Sequence, residues 1–473
     1  MSTQAFRSKK PGRARVAPAS SLIWQSDEPG APERFFQSIS LAWKMLAYRA
    51  TCYVFCHLTL LKFAFNFIRP LRPVSLFGKL MVLTKAADIR EALARFNDFA
   101  LGEVIEPGMP WGPFIMTVDW QEQHRAERGL LQSAVIPWAD EQRISDIVKD
   151  ECRARLHRTG DQLDAVADFA EPVVIRIIAK YFGVSPVKSD LRLMARALRD
   201  LAGIIMVNPP VGSGPWINSR DSIAAVTAQI LAQMDAAADA MARSKAARLP
   251  DTLLTRLVGL LRGGGTPDWF DEDWIRRYLT GLVGTGGATI VRGFTQALDQ
   301  LICRPDFLKQ ARVIAARLDE EEAKGLDATA MREALRLYIY EALRFRPMLP
   351  LLVRDAPRDT IIAGSTPRAR LVPGGTRVLA SPLAAMFDPA DFPQPNRFNP
   401  ERPKDRYIHF GHGLRECFGR HIADIALLEM TRALLRVPHL ESAGKGIQFE
   451  GPAPSSFLLG LKLVQPERSK RGS

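Results

Sequence analysis

Cysteine is scarce in this chain and odd in number. Its 473 residues hold five, Cys52, Cys56, Cys152, Cys303 and Cys417. So sparse a set predicts no disulfide framework and fits a reducing interior. Long apolar runs are lacking as well. Residues 41–69 are more apolar than their surroundings, yet Lys44, Arg49, His57, Lys62 and Asn66 interrupt them. No stretch of about 18 uncharged apolar residues is left to span a bilayer. Two packed helices fit this segment, and so does a helix lying on a membrane surface. No apolar segment directly follows the basic start at Lys9, Lys10, Arg13 and Arg15, so a secretory signal is not expected. Residues 1–32 are read as a disordered basic segment and residues 33–473 as a single domain. The expected location is cytoplasmic, with any membrane contact peripheral and through residues 41–69.

Acidic residues are the minority charge, 51 against 64 basic ones, for a net charge of +13 and a pI near 9.7. Such an excess admits nucleic acid, an anionic membrane surface or an acidic protein partner. It is spread along the chain rather than gathered into one reading helix, so nucleic acid is not expected. There is no internal repeat. Cys52-Tyr53-Val54-Phe55-Cys56-His57 has one residue too many between its cysteines for c-type haem attachment. The glycine-rich run Gly284-Thr285-Gly286-Gly287-Ala288-Thr289 lacks the preceding strand and the Gly-Lys-Ser/Thr ending of a phosphate-cradling loop.

What is present reads mainly as helix. Patterns run over 85–95, 119–128, 161–183, 188–206, 216–248, 331–346 and up to about Arg436. The longest is Asp271 to Cys303, between capping candidates Thr266 and Asp271 and the breaker Pro305. Short strands are expected at 77–84, near 349–353, at 371–379 and between 447 and 464. Residues 97–117 form a long stretch rich in Gly and Pro, the kind that walls a pocket. The breaker-rich 208–215 joins two helices.

The most specified stretch is Phe410-Gly411-His412-Gly413-Leu414-Arg415-Glu416-Cys417-Phe418-Gly419. Gly411 and Gly413 permit a tight bend and a close backbone approach. A helix starting near Phe418 aims its first amides at the sulfur and favours a thiolate. The plain alternative is a buried cysteine on a glycine turn. The pattern Phe-Gly-x-Gly-x-Arg-x-Cys-x-Gly resembles the haem-ligand loop of the cytochrome P-450 family, in the manner of a soluble bacterial-type member. Weaker motifs follow in family order between about residues 75 and 430.

The resemblance implies a mainly α fold with small β-sheets, one domain binding haem b. It implies Cys417 as axial ligand to the haem iron and Phe410 beside the haem. His124 and Arg128, four apart on one helical face, would meet a propionate, although a solvated surface pair has the same spacing. Arg354 and Arg415 stand at further propionate positions. Glu341, Arg344 and Pro347 match a Glu-x-x-Arg-x-x-Pro motif, with Arg402 as the third member of a buried triad that supports the cysteine loop. Gly286 and Thr289 match the oxygen-site bend of the central helix, with Thr289 catalytic. Ala288 replaces the family's acid there. Gly284, Thr285, Leu351 and Leu352 are expected to line the substrate space.

Function follows from that resemblance. The first reading is a haem-thiolate monooxygenase that inserts one oxygen atom from O2 into a small apolar substrate. Its electrons would come from a separate ferredoxin with its reductase, or from a flavodoxin, docking on a basic surface near Arg415 and Arg420. The second is a peroxide-driven or hydroperoxide-rearranging enzyme, which would not need the acid missing at position 288. The third is a haem-binding protein without catalysis.

Overall fold

Asp271 starts the helix around which the other elements pack. Its carboxylate accepts a hydrogen bond from the Trp274 amide at 2.7 Å. Glu272 and Asp273 fill the first turn, where acids offset the helix dipole. The helix runs from Glu272 to Ile302, about 46 Å at 1.5 Å per residue. The structure, a computed structural model, describes residues 31–102, 111–243, 249–450 and 453–464. Residues 1–30, most of the expected disordered segment, lie outside the described residues.

The chain divides after Lys44 into two units. The first contributes the N-terminal part of α1 (Ala31–Cys56), and the second carries everything from Met45 onward. α2 (Leu58–Leu71), the hairpin β1 (Val74–Phe77) and β2 (Leu80–Leu83), and α3 (Ala86–Ala94) come next. They are followed by α4 (Gln121–Ser133), α5 (Pro137–Arg158) and β3 (Gln162–Asp164). A continuous helical stretch then has π-helical ends, Ala165–Ala170 and Ile178–Phe182, around α6 (Glu171–Ile177). α7 (Leu191–Val207), α8 (Gly214–Ala242), α9 (Leu253–Gly263), the central α10 (Glu272–Ile302), α11 (Pro305–Ala323) and α12 (Thr329–Phe345) complete the helical layer. β4 (Leu352–Ala356), β5 (Thr360–Ile362), β6 (Arg370–Val372), β7 (Thr376–Ala380) and the single turn α13 (Pro382–Ala385) lead to the cysteine loop. α14 (Arg420–Leu435) and β8 (His439–Ser442), β9 (Gln448–Phe449), β10 (Phe457–Leu458) and β11 (Gly460–Val464) end the described chain.

The four-stranded sheet has the order β1-β2-β7-β4, with β2 and β7 parallel and the other pairs antiparallel. A three-stranded sheet, β3-β11-β8, joins residues far apart in sequence. The expected helix from Asp161 is corrected at its start, because Gln162–Asp164 pair with Gly460–Lys462. A three-residue strand shows no periodicity, and only its distant partner defines it. The reading also passed over α5, α9 and α11. α5 is crowded with charge, so its apolar stripe is thin.

Glycines in α10 cost about 1 kcal/mol each in helix propensity, and packing accounts for most of them. A Cβ on Gly284 would lie 3.0 Å from Leu201 of α7, and one on Gly287 2.8 Å from Leu198 of the same helix. A Cβ on Gly293 would meet the Met348 sulfur at 2.6 Å. Gly286 differs, since a Cβ there meets nothing within 4 Å.

No single helix among the described residues is long and apolar enough to cross a membrane. Residues Ser40–Cys56 and α2 meet the length and composition requirement only together, and they are bent by 88°.

Candidate active site

The cysteine loop is held by backbone. Gly411 and Gly413 both have φ of +79°, a region that side chains rarely adopt. A Cβ on Gly413 would sit 2.8 Å from the Ala94 Cα and 3.0 Å from the Leu93 carbonyl oxygen, so the loop lies against the end of α3. The Cys417 amide donates to the Phe410 carbonyl at 2.9 Å and closes the turn. Gly419 is the N-cap residue of α14. Burial pushes the Cys417 thiol up from its ordinary pKa, while the Gly419 amide, hydrogen-bonded to the sulfur, and then the Arg128 cation act the other way.

Cys417 is exposed, and its surface opens onto an internal cavity of about 240 Å³. From the cysteine loop and α14 this cavity is lined by Phe410, Cys417, Phe418 and Ile422. From α10 it is lined by Leu282, Gly286, Thr289 and Ile290. Leu101, Phe114, Ile115 and Met116 belong to the Gly- and Pro-rich stretch and form part of the wall, as its composition led us to expect; residues 103–110 of that stretch lie outside the described residues. Thr289 donates to the Thr285 carbonyl at 2.6 Å and lies 3.1 Å from the Gly286 carbonyl.

At one end of this apolar space the lining turns basic. His124, Arg128, Arg354 and Arg415 all reach it. His124 is buried, and its Nδ1 has no hydrogen-bond partner among the described residues. Burial, then the Arg415 and Arg128 cations, push its pKa down to about 4. Arg354 is buried and, among the described residues, its side chain donates to the Val353 carbonyl alone, at 2.8 Å. Burial and the nearby Arg415 push it down to about 10. Arg128 donates to the Glu416 carbonyl at 2.9 Å. Arg415 pairs with Asp119, donates to the Val118 carbonyl at 3.0 Å and lies 3.8 Å over the Phe96 ring. Asp119 is the partner that sequence reasoning missed. Its place just before α4 was the available signal, and its carboxylate also accepts from the Leu101 and Gly102 amides at 2.9 and 2.7 Å.

Two expected lining residues lie elsewhere. Thr285 and Leu352 line the cavity, but Gly284 and Leu351 do not. Gly284 faces Leu201 of α7, and Leu351 packs on the cluster of Tyr48, Cys52, Phe55 and Val207. Arg415 is corrected as a docking residue as well, since its side chain is only 3% exposed. Arg420 is more open and pairs with Glu416.

The triad does assemble. Arg344 donates to both oxygens of Glu341 at 2.8 Å, and both side chains are fully buried. Asn399 N and the Tyr407 hydroxyl also donate to Glu341, each at 2.8 Å. Arg402 Nε stands 3.5 Å from Glu341, an ion pair without a hydrogen bond at that nitrogen.

The family profile described as Cytochrome P-450 matches residues 219–446, which include α10, the triad and the cysteine loop. The chain belongs to the cytochrome P-450 family. The Erythromycin C-12 hydroxylase of Saccharopolyspora erythraea is 27% identical over 355 residues, covering 74% of this chain and 78% of that protein. The Putative cytochrome P-450 YjiB of Bacillus subtilis is 36% identical over 125 residues, covering 26% of this chain and 29% of the relative. A Bifunctional dioxygenase (DOX)-epoxy alcohol synthase (EAS) of Pyricularia oryzae is 41% identical over 83 residues, 18% of this chain and 7% of that protein. The chain therefore spans under a third of the length of these last two. Among solved structures, CalO2 superposes with a TM-score of 0.66 at 21% identity, covering 85% of this chain and 95% of that one. A mutant of P-450 EryK in complex with erythromycin B gives 0.66 at 21%, covering 88% and 99%. The mainly α fold with small β-sheets is the one these structures share.

The cofactor of the family is haem b, and the cavity of this cytochrome P-450 fits it. The lining of this apolar space includes a cysteine sulfur and the basic groups of His124, Arg128, Arg354 and Arg415, of which Arg415 has a carboxylate partner among the described residues, Asp119. Buried charge without a partner is costly. The unpartnered His124 Nδ1 and the isolated Arg354 guanidinium suit the two carboxylates that the porphyrin carries.

Proposed function

We propose that this protein is a haem-thiolate monooxygenase that inserts one oxygen atom from O2 into a small apolar organic substrate, with electrons from a separate redox partner. The observation that carries the reading is that Cys417 and Thr289 of α10 line the same apolar cavity. When bound, haem b supplies the activation of oxygen, which a thiolate ligand favours by electron donation.

The chain's own residues divide the remaining work. Cys417 would hold the haem iron through its sulfur, with the Gly419 amide supporting the negative charge there. Phe410, which lines the same cavity, would pack beside the macrocycle. His124, Arg128, Arg354 and Arg415 would hold the propionates, and Asp119 orients Arg415. Glu341, Arg344 and Arg402 are structural and keep the cysteine loop in place. Thr285, Gly286 and Leu352 face the substrate, and Val174, Ile178 and Leu282 keep water away from it. Thr289 is catalytic as a hydroxyl donor, and a rotation away from the Thr285 carbonyl aims it into the cavity. Ala288 carries no proton, so either water would supply the proton route here or the reaction would not need one. Residues 33–473 act as one haem-binding domain.

The electron donor is a ferredoxin with its reductase, or a flavodoxin, attracted by the basic balance of the chain. No nucleic acid is engaged. The protein works in the cytoplasm, in peripheral contact with a membrane through residues 41–69.

A second reading is favoured by one observation. Glu416 is the only carboxylate lining the described cavity. It belongs to the cysteine loop and pairs with Arg420. A site that takes hydrogen peroxide or an organic hydroperoxide needs no acid beside Thr289. The stretch shared with a protein described as an epoxy alcohol synthase adds to it.

The deciding experiment is a reduced carbon-monoxide difference spectrum of the wild-type protein and of Cys417→Ala, followed by turnover assays. The thiolate band should be present in the first and lost in the second. Turnover should need O2 and a reduced donor. Turnover only with peroxide and no donor selects the second reading. A band unchanged in Cys417→Ala overturns both.

A further inference from the structure

α2 is apolar on two faces. Leu58 and Phe65 are buried on the inner face, together with Arg69, which donates to the carbonyls of Thr84, Ala384 and Phe387. On the outer face Leu60, Phe63, Phe67 and Leu71 are 57%, 73%, 63% and 66% exposed. At 100° per residue these four fall within an arc of about 80°. A contiguous apolar stripe left open on a helix marks an interaction surface, and nothing in the described chain covers this one.

Charge selects the partner. From Met45 to Ala87 there is no acidic residue, while Arg49, Lys62, Arg69, Arg72, Lys79 and Lys85 are basic. Arg49, Arg72 and Lys79 are exposed and have no ion pair among the described residues. A second copy on this face would set cation against cation. Residues 1–30 are basic too, with Arg7, Lys9, Lys10, Arg13 and Arg15 against Asp27 and Glu28. An anionic lipid leaflet is apolar inside and negative at its surface, and it matches both features.

We propose that α2 docks on an anionic lipid leaflet and lies in its plane, with Leu60, Phe63, Phe67 and Leu71 inserted and Arg72 and Lys79 at the headgroups. The proposal rests on the membrane-peripheral location put forward above and gives it a surface and a lipid class. It also ties the membrane to the cavity. α1 leads into α2 through His57 alone, and its Tyr48, Cys52 and Phe55 pack on Met206 and Val207 at the end of α7. The next residue back, Ile205, lines the cavity.

The test is sedimentation of the full chain with vesicles of phosphatidylcholine alone or mixed with phosphatidylglycerol, alongside light scattering for oligomeric state. Binding is expected to the mixed vesicles. The double variant Phe63→Glu with Phe67→Glu should weaken it by about a hundredfold. Arg72→Gln with Lys79→Gln should weaken it by about thirtyfold on mixed vesicles. Circular dichroism melting checks that each variant folds, since these side chains are exposed. A monomer that ignores both vesicle types overturns the proposal. So does a dimer that Phe63→Glu disperses while vesicle binding is absent, because the stripe then belongs to a second copy. The carbon-monoxide spectrum is read separately, so failure of the haem reading and failure of membrane docking stay distinct.

Discussion

Arg344 grips Glu341 with two hydrogen bonds of 2.8 Å, one to each carboxylate oxygen, three residues apart on α12 and out of reach of solvent. Arg344 also donates to the carbonyls of Met386 at 3.0 Å, Pro395 at 2.7 Å and Arg397 at 3.1 Å. The pair thus fastens α12 to the segment that leads into the cysteine loop. Glu341→Ala leaves the guanidinium buried without a countercharge. Breaking a buried pair in this way costs about 3–5 kcal/mol. Urea unfolding should show that loss, and the variant should hold haem poorly. Arg344→Lys should fail nearly as badly, because an ammonium cannot form the two-pronged contact. An unfolding midpoint close to wild type in Glu341→Ala would remove the pair's structural role.

How much of this was legible beforehand depended on what fixes each feature. The cysteine loop could be read because its glycines answer backbone demands, and composition shows those directly. The triad could be read because an i,i+3 pair followed by proline is local. Facing could not be read. Gly284 and Gly286 are two apart on a helix, roughly 200° around it, so one meets Leu201 and the other opens on the cavity. Leu351 and Leu352 adjoin at the start of β4, where neighbours point to opposite sides. The partner that decides each face is remote in sequence. Asp119 was missed for the same reason, since its worth lies in Arg415, almost three hundred residues on.

His409 gives a pH dependence. It is buried, and its Nε2 lies 2.8 Å from the Tyr340 carbonyl. Burial, with the Arg344 and Arg420 cations adding to it and the Tyr340 carbonyl opposing, pushes its pKa down to about 3. In the unfolded chain the value is about 6.5. Between those limits the unfolded state binds the extra proton, so stability rises with pH there. The contribution is fully present above about pH 6.5 and is lost as pH falls toward about 3, on the order of a few kcal/mol. Urea unfolding across that range should show a slope that His409→Phe flattens. An unchanged slope would assign the acid sensitivity to other groups.

Arg354 should behave oppositely with and without haem. In the apo chain its buried guanidinium has one hydrogen bond among the described residues, to a backbone carbonyl, and the nearby Arg415 cation outweighs the opposing pull of Asp119. Arg354→Leu then removes a cost, and the apo protein should gain about 1–3 kcal/mol or at least lose nothing. Haem binding should weaken by roughly tenfold to a hundredfold, the value of a charge-assisted hydrogen bond. Unfolding of the apo chain and a haem titration give the two readings. If both fall together, Arg354 is a packing residue and the propionate assignment fails.

Two glycines of α10 should respond to alanine with opposite signs. At Gly281 a Cβ would lie inside the contact distance of the Phe114 ring, which is buried and forms part of the cavity wall. An aromatic ring packed on Trp111 and Tyr278 has little room to move. Overpacking of this kind costs about 1–3 kcal/mol, against a propensity gain of about 1 kcal/mol for alanine. Gly281→Ala should therefore lower the melting temperature and disturb ligand binding by displacing Phe114. At Gly286 a Cβ meets nothing within 4 Å. The propensity gain then stands alone, and Gly286→Ala should stabilise by up to about 1 kcal/mol. Its methyl group enters the cavity between Thr285 and Thr289, so the largest ligands accepted by the wild type should bind worst. Melting curves give the sign at each site, and a ligand-shift titration gives the cavity effect. If Gly286→Ala bound large ligands as well as the wild type does, that face of α10 would not border the substrate.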